Sequence, residues 1–456
     1  MDVKNLPNAK FDEIIAEFYD SSKFDQHLFQ ADIQVIVAYC DALFNAGILT
    51  RQESERIKNG LQSIIKRVEY DKNYFGELAS ENIHSFIIAR LVQLIGDAGK
   101  KLHIGWNETE HTITTLRFWL RGEIEEISQF IKEIQKILIE ISERQKEAVL
   151  PIYINFQKKK PVLWGHWCLA YFEKFERGRE RLEEVWRRVN VSPFGAETSF
   201  EIDREEIAAA LGFEGVTMNG LDTISDRDFV LEFIVSCSFL MSHLARLAED
   251  LILYNSKELN FIELKAEINK ASNLTTQEKN IELLEKIRGK SVRIFGHQVT
   301  LFSVLKDSPS AFNKNMQEEK LAIFDTAETV KKSIKAICLI LSKLRVNEQI
   351  TLRTAMKDNL SAPELIDYLL KKDVPFDVAH ETVEKIVHYA VSKNSEINEL
   401  NLTELQNFSL NIDKDVFQVL SLEHFLASRN QIGGTAPERV FEALLAAKEG
   451  LDREER

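Results

Sequence analysis

Apolar residues recur at alternating steps of three and four along several long stretches of this chain, which is the period of an amphipathic helix. In 123–150 they form a coiled-coil-like stripe that spans about 40 Å when fully helical. A second stripe fills 321–344, whereas 226–254 is apolar nearly all round, as expected of a helix surrounded by other helices. A further helix is expected in 164–189, after the break at Pro161. The pattern predicts an all-α protein built around an extended bundle of long helices.

Shorter helical patterns precede this bundle. Apolar periodicity predicts helices in 32–47 and 81–95, and between them Thr50 is a candidate N-cap for a helix that begins R-Q-E-S-E-R-I. The glycines Gly96 and Gly99 indicate where this group of helices ends.

The pattern shortens again beyond residue 350, where Pro375 interrupts one helix and a last helix is expected from Pro437. No β-rich segment is expected. Because helices as long as those of the bundle leave apolar surface, we expect copies of the chain to associate. The chain is divided into three predicted helical domains: an N-terminal domain at 1–105, a central long-helix bundle at 106–349 and a small C-terminal domain at 350–456.

The stretch 271–290 stands apart because its first half is polar and has no apolar period. From Glu282 onward it becomes amphipathic, and Gly289 is expected to close the helix. A polar loop that feeds a long helix can carry a hydroxyl or an amide over a pocket while staying anchored. We interpret this stretch as the candidate functional loop, which also belongs to the central domain.

Composition narrows the classes of function. Glycine (18) and proline (8) are scarce among the 456 residues, which favours helix, and the formal net charge of −14 disfavours a nucleic-acid partner. A local pocket still admits an anionic small molecule. Cys40, Cys168, Cys237 and Cys338 lie far apart without metal spacing and are interpreted as buried free thiols. With no apolar leader and with charges inside the most apolar span, we expect a cytoplasmic protein without metal, cofactor or membrane span.

Seven short segments form an ordered set of motifs that runs nearly end to end. They are 24–33 (F-D-Q-H-L-F-Q-A-D-I), 46–50 (A-G-I-L-T), 99–105 (G-K-K-L-H-I-G), 192–196 (S-P-F-G-A), 221–229 (L-D-T-I-S-D-R-D-F), 316–320 (M-Q-E-E-K) and 433–440 (G-G-T-A-P-E-R-V). This set resembles the argininosuccinate lyases of the aspartase/fumarase superfamily. The resemblance implies three helical domains, a homotetramer with composite active sites drawn from three subunits, and an anti elimination that releases fumarate and arginine.

The candidate loop resembles the family signature G-S-S-x-M-P-x-K-x-N. Ser272 falls on the serine proposed to abstract the proton, and Asn280 and the downstream Glu285 also match. Glu278 stands where the family has a lysine. Replacing a cation by a carboxylate beside a dianionic substrate reverses a Coulomb energy of about 4 kcal/mol for a pair 4 Å apart at an effective dielectric of ~20. An ordinary loop serine is the alternative interpretation of Ser272.

Two further motifs differ from the family pattern. The Thr-His pair of the family is Ile154-Asn155 here, and an asparagine cannot exchange a proton near neutral pH. The resemblance implies that Glu285 once oriented that histidine. The family motif G-R-S-R-N-D-Q reads G-W-N-E-T-E-H at 105–111. Asn107, Glu108 and Thr109 therefore stand where the family binds the succinyl carboxylates, with Glu108 in place of an arginine.

The remaining matches lie in two other motifs. Phe312 replaces the tyrosine expected before Q-E-D-K, whereas Gln317 and Lys320 are kept on the side that contacts the departing amino acid. The motif E-D-I-H reads E-N-I-H and ends in His84, which is either a substrate contact or a helix-face histidine bonded to a neighbour. His111 is considered as a displaced proton carrier, and a packed histidine is its alternative.

The sequence leaves three possible functions open. The first is a lyase-like pseudoenzyme with a degraded site that binds a ligand or regulates a partner. The second is a carbon–nitrogen lyase for another substrate, with a cradle rebuilt around Trp106, Asn155 and the lysines at 158–160. The third is a working argininosuccinate lyase of arginine biosynthesis.

Overall fold

The computed structural model describes residues 22–71, 73–77, 82–155, 157–264, 282–306, 318–357 and 361–454. Helices make up most of these residues, which confirms the all-α class. Ser272, Glu278, Asn280, Phe312 and Gln317 of the predicted site lie outside the described residues.

The helices of the first half of the chain begin with short elements and then lengthen. They are α1 (Ser22–Asp25), α2 (Phe29–Asn45), α3 (Arg51–Tyr70), α4 (Ile83–Ile95), α5 (Asp97–Lys100), α6 (Glu108–Arg144), α7 (Trp164–Val189), α8 (Arg204–Ala210), α9 (Gly220–Ser225) and α10 (Asp228–Asn255). Short 3-10 turns lie at Gln26–Leu28, Tyr74–Glu77 and Lys101–His103.

The second half starts with two long helices and ends in shorter ones. They are α11 (Glu282–Lys306), α12 (Glu318–Ser342), α13 (Glu348–Ala355), α14 (Ala362–Lys371), α15 (Phe376–Ser392), α16 (Leu402–Gln406), α17 (Val416–Val419), α18 (Leu422–Ala427) and α19 (Pro437–Glu454), with a 3-10 turn at Ile397–Glu399. The helix starts expected after Thr50, at Trp164 and at Pro437 are confirmed.

The described residues group into two compact units that cut across the three predicted domains. The first unit takes residues of 1–129, 178–241 and 290–332, and the second takes residues of 130–177, 242–289 and 333–456. The boundary falls within each long helix. The division into domains at residues 105 and 349 stays a prediction.

Local sequence explains how α2 to α4 of the first unit begin and pack. The Thr50 hydroxyl accepts the backbone N–H of Glu53, and the Glu53 carboxylate accepts the N–H of Thr50 in return, which is a capping box. Asn82 caps α4 in the same way by accepting the N–H of Ser85. The apolar faces of α2 and α3, including Ile36 and Ile57, are fully buried.

A two-stranded hairpin in the second unit corrects one prediction. The stripe of 123–150 was expected to be one helix, but α6 ends at Arg144 and Leu150 lies in strand β1. Strands β1 (Val149–Ile154) and β2 (Gln157–Leu163) pair antiparallel. Hairpin residues Val149 and Leu163 pack with α19, and this contact to a distant segment decides the local structure. The other strands are short pairs: β3 (Val191–Ser192) with β4 (Gly215–Val216), and β5 (Ile262–Leu264) with β6 (Leu344–Val346).

The C-terminal helices of the second unit have a core of their own. Leu365, Leu369, Val383 and Ile386 are buried in it. Helix α15 begins directly after Pro375, so this proline marks a helix start and not an interruption.

Helix α10 is the longest strongly apolar helix among the described residues. By length and composition alone it is able to cross a membrane, and half of its most apolar 18-residue segment is buried inside the protein. Two of its charged residues form exposed ion pairs: Glu232 pairs with Arg188, and Glu249 pairs with Arg288 at 3.0 Å. Charged residues on its exposed positions are what a helix of a bundle in water carries.

Helix α11 passes through Gly289, and the prediction that this glycine closes the helix is wrong. Leu284, Ile287, Ile294 and Leu301 are all buried along its length, so packing offsets the low helix propensity of glycine. A Cβ atom added at Gly289 meets no atom within 4 Å.

We predict that Gly289→Ala raises the thermal unfolding midpoint, because alanine stabilises a helix interior by about 0.5–1 kcal/mol relative to glycine. Gly47 is the matched control, since its surroundings are equally open but its φ is +72°. Gly47→Ala is expected to lower the midpoint, because the left-handed conformation costs an alanine roughly 1–2 kcal/mol. Circular dichroism measures both, and a lower midpoint for Gly289→Ala contradicts the continuous helix.

Candidate functional site

The N-terminus of α6 is the part of the first unit on which the described site residues converge. Gly105 has a φ of +70°, and a Cβ there would lie 2.8 Å from Phe200, so the close turn into α6 requires glycine. Two residues later, the Asn107 side-chain oxygen accepts the backbone N–H groups of Thr109 at 3.0 Å and Glu110 at 3.2 Å. Asn107 is therefore the N-cap of α6.

Glu110 ties this helix end to the segment that follows β3. Its buried carboxylate accepts the backbone N–H of Gly195 at 2.8 Å and that of Glu197. Burial raises the pKa of Glu110, against the opposing effect of these two N–H groups. The contact holds Phe194, from the S-P-F-G-A motif, against the start of α6.

One buried carboxylate bridges two histidines beside this helix end. Asp32 on α2 contacts His84 Nδ1 through Oδ1 at 3.0 Å and His111 Nε2 through Oδ2 at 2.8 Å. Asp32 and His111 are 2% and 1% exposed, and the His84 side chain is 13% exposed. With the carboxylate ionised, each imidazole donates the N–H that faces it.

Trp106 covers the two imidazoles. Its ring lies 4.2 Å from the ring of His84 at an interplanar angle of 13°, and 4.1 Å from that of His111 at 39°. The two histidine rings are 4.3 Å apart. We refer to Asp32, His84, Trp106 and His111 as the Asp32 cluster.

Burial and charge act in opposite directions within the cluster. Burial would raise the pKa of the Asp32 carboxyl, but the imidazoles of His111 and His84 outweigh it and hold this pKa well below its usual range. Burial lowers the pKa of His111 to about 4, although Asp32 opposes the shift. His111 is therefore uncharged at neutral pH.

Glu108, in the first turn of α6, is exposed to solvent and contacts α4. The side-chain amide of Asn82, which caps α4, donates to the Glu108 carboxylate at 3.3 Å. Both residues differ from the motifs that the sequence resembles, in which these positions are an aspartate and an arginine. Two replaced positions thus contact each other across the two helix starts.

The structure places His84, Asn107, Glu108 and Thr109 around the starts of α4 and α6 in the first unit. Lys320 is buried in the same unit and pairs with Asp25 at 2.8 Å. In the second unit, Asn155 is exposed at the tip of the hairpin with a φ of +52°, and Glu285 is exposed in the first turn of α11.

Residues near the second hairpin strand have contacts within the protein, among them Lys158 of the predicted cradle. Trp164 and Trp167 are buried, and the Trp167 indole donates to Asp250 at 2.9 Å. Lys158 donates to the carbonyl of Thr354 at 2.8 Å. Burial lowers the pKa of His166, which is half-buried.

Sequence reasoning missed that Asp32, Trp106 and His111 belong to one cluster with His84. The signal was present, because Asp32 lies in one matched motif and Trp106 and His111 are both departures from another. The donor atoms of Asp32, His84 and His111 lie within 4.8 Å of one another, and among the described residues they form a group able to hold a metal ion.

The family models and the curated relatives that match this chain agree on one family. Residues 8–296 match the family model described as Lyase, and 359–427 match that of the argininosuccinate lyase C-terminal region. The argininosuccinate lyase of Paracidovorax citrulli is 39% identical over 94% of this chain and 91% of its own. That of Caldanaerobacter subterraneus subsp. tengcongensis is 38% identical over 92% of this chain and 96% of its own.

Solved structures agree with this chain in fold. EDDS lyase in complex with formate has a TM-score of 0.85 at 22% identity, covering 95% of this chain and 88% of its own. A class II fumarase from Schistosoma mansoni has a TM-score of 0.75 at 12% identity, covering 87% of this chain and 90% of its own. At these identities the likeness concerns the fold alone.

We predict that acid destabilises the protein in part through His111. Its folded-state pKa of about 4 lies below the ordinary value of 6.5, so the unfolded chain binds the extra proton first as the pH falls. Stability from this group is complete above pH ~6.5 and is lost toward pH ~4. His111→Gln removes this titration, so its thermal midpoint is expected to fall less steeply over that window, measured by calorimetry with EDTA present. Parallel curves for both proteins contradict the assignment.

Proposed function

The chain belongs to the argininosuccinate lyase family, and from that premise we propose that it binds a small molecule at the family's site without cleaving argininosuccinate. In this proposal it is a pseudoenzyme with a ligand-binding or regulatory role. The capped and acidic N-terminus of α6 is the observation that carries it.

A helix N-terminus is a natural site for an anion, because its free N–H groups and the helix dipole favour negative charge. Asn107 already occupies the N–H groups of Thr109 and Glu110. Glu108 and Glu110 add carboxylates in the same turn. These are the positions that correspond to the succinyl-binding motif of the family.

The Coulomb energy supports the same conclusion. Two like charges 4 Å apart repel by about 4 kcal/mol at an effective dielectric of ~20. The exposed Glu108 carboxylate is screened by water and contributes less than that. Even a fraction of this energy, with the attraction of an arginine lost as well, weakens binding of a dianionic substrate severalfold.

The proposal also rests on a missing proton carrier. Asn155 matches the position of the family histidine, and its amide neither takes nor gives a proton near neutral pH. Elimination needs an acid and a base at defined positions, and general acid–base catalysis contributes about 10²–10⁴-fold to a rate.

A second candidate is a carbon–nitrogen lyase that acts on a different substrate. The Asp32 cluster favours it, because a carboxylate that orients an imidazole is a common acid–base unit. Of the two histidines in the cluster, His84 is the one whose side chain reaches solvent.

We also propose that the protein assembles into a homotetramer in the cytoplasm. It binds neither nucleic acid nor a membrane in this proposal. An apolar stripe on α11 supports the assembly. Val292, Phe295, Val299 and Phe302 are 49–70% exposed at steps of three and four, while the opposite face of the helix is buried. A helix that is apolar on both faces fits between other helices, and a second copy of the chain supplies them.

We expect no release of fumarate when the purified protein is incubated with argininosuccinate and the ultraviolet absorbance is followed. The argininosuccinate lyase of Paracidovorax citrulli is the positive control. The combined substitutions Asn155→His, Glu108→Arg and Glu278→Lys test whether the replaced groups explain the loss, and weak recovered turnover is the expected result. Appreciable turnover by the unaltered chain refutes the proposal.

We expect Val299→Asp to break the assembly, because a charge in a buried helix contact remains without a partner. Size-exclusion chromatography with light scattering is expected to give a tetramer for the unaltered chain and smaller species for the variant. Leu410→Asp is the control, since Leu410 is 87% exposed and lies outside the stripe. A monomeric unaltered chain, or a tetramer that tolerates Val299→Asp, argues against this surface.

A further inference from the structure

We propose that Asp32, His84 and His111 bind one divalent transition-metal ion, with Zn²⁺ as the representative. The proposal concerns a site that the family resemblance does not supply, since His111 replaces the glutamine of the matched motif. It is independent of whether the protein cleaves argininosuccinate.

The geometry of the three side chains is close to that of a metal site. Their donor atoms lie within 4.8 Å of one another, and each imidazole nitrogen lies about 3 Å from a different oxygen of Asp32. Zinc binds imidazole nitrogen and carboxylate oxygen at about 2.0–2.2 Å, so ligands around one tetrahedral ion are roughly 3.3 Å apart. Small movements of the side chains therefore suffice to admit an ion.

The donor set also suits this class of ion. Two imidazoles and one carboxylate are a common ligand set for zinc and for non-haem iron. The imidazole must be uncharged to bind a metal, and the burial of His111 favours that form. An uncharged imidazole binds the ion through the lone pair of the nitrogen that faces Asp32, and its proton moves to the other ring nitrogen.

The buried negative charge of the Asp32 carboxylate gives a reason for a cation in the Asp32 cluster. The Asp32 carboxylate is 2% exposed, and each of its two oxygens faces an imidazole. When both imidazoles are neutral, the cluster keeps a buried negative charge, which is costly. A divalent cation neutralises this charge without requiring an imidazolium.

The three protein ligands leave a coordination position open. Metal sites with three protein ligands hold a water or a substrate oxygen in the fourth position. The Asp32 and His111 side chains are almost fully buried, so the His84 side is the one that faces solvent. The ion is expected to bind an oxygen ligand there.

Zinc titration of the full chain, freed of metal with EDTA, tests the proposal by isothermal calorimetry. One ion per chain is expected, with a dissociation constant of about 10 µM or lower, and His111→Gln is expected to weaken binding by roughly 100-fold or more. Glutamine occupies this position in the matched family motif, so the variant is compatible with the scaffold.

His297→Gln is the matched control. His297 also pairs with an aspartate, Asp325, at 2.7 Å, but its side chain is 20% exposed and belongs to no group of three ligands among the described residues. Zinc affinity unchanged in His297→Gln and lost in His111→Gln supports the site. No binding by the unaltered chain, or equal affinity in His111→Gln, overturns it and leaves Asp32 as a hydrogen-bond acceptor only.

Cobalt substitution gives a readout on the unaltered chain that does not depend on any variant folding. Co²⁺ in a site of nitrogen and oxygen ligands shows visible ligand-field bands without a thiolate charge-transfer band. That spectrum, lost on addition of one equivalent of Zn²⁺, supports the proposal. A thiolate band would assign the ion to a cysteine, and a spectrum of hexa-aqua Co²⁺ would mean that no site forms; either result overturns it.

Discussion

The first unit depends on one interaction, the contact of the Asp32 carboxylate with two imidazoles. The carboxylate lies between two imidazoles that are 52 and 79 residues away along the chain, and so it joins the starts of α4 and α6 to α2. Removing one partner of such a buried pair leaves an uncompensated charge, which typically costs about 3–5 kcal/mol. The helix starts that carry the family's binding motifs are thus held in place by the same group that opposes the effect of burial on the pKa of His111.

Four of the departures from the family pattern contact one another in pairs. Asn82 and Glu108 are hydrogen-bonded, and the Trp106 ring lies 4.1 Å from that of His111. In each pair, both replaced residues are in contact within the protein. The helical scaffold that surrounds these pairs is kept, since its TM-score against EDDS lyase is 0.85 while only 22% of residues are identical. Packing of apolar faces tolerates such divergence, because it depends on volume and spacing more than on exact identity.

Local signals predicted much of the fold. The Thr50 cap, the start of α7 and the apolar stripe of α6 follow from contacts between residues three or four apart, which a single sequence displays directly. The end of α6 and the passage of α11 through Gly289 did not follow, because contacts to distant segments override local propensity there. In the site, the motifs identified His84 and the residues 107–109. The role of Asp32 was missed, since a bond across 79 residues leaves no periodic mark in the sequence.

The contact of Trp106 with both imidazoles also gives the protein an optical reporter. Indole emission responds to the charge and electron affinity of groups in contact with the ring, and here two such groups lie about 4 Å away. The other four tryptophans, Trp119 and Trp186 in the same unit and Trp164 and Trp167 in the other, supply a background emission. Any event that alters an imidazole of the Asp32 cluster is therefore observable by fluorescence, without a label and in the unaltered protein.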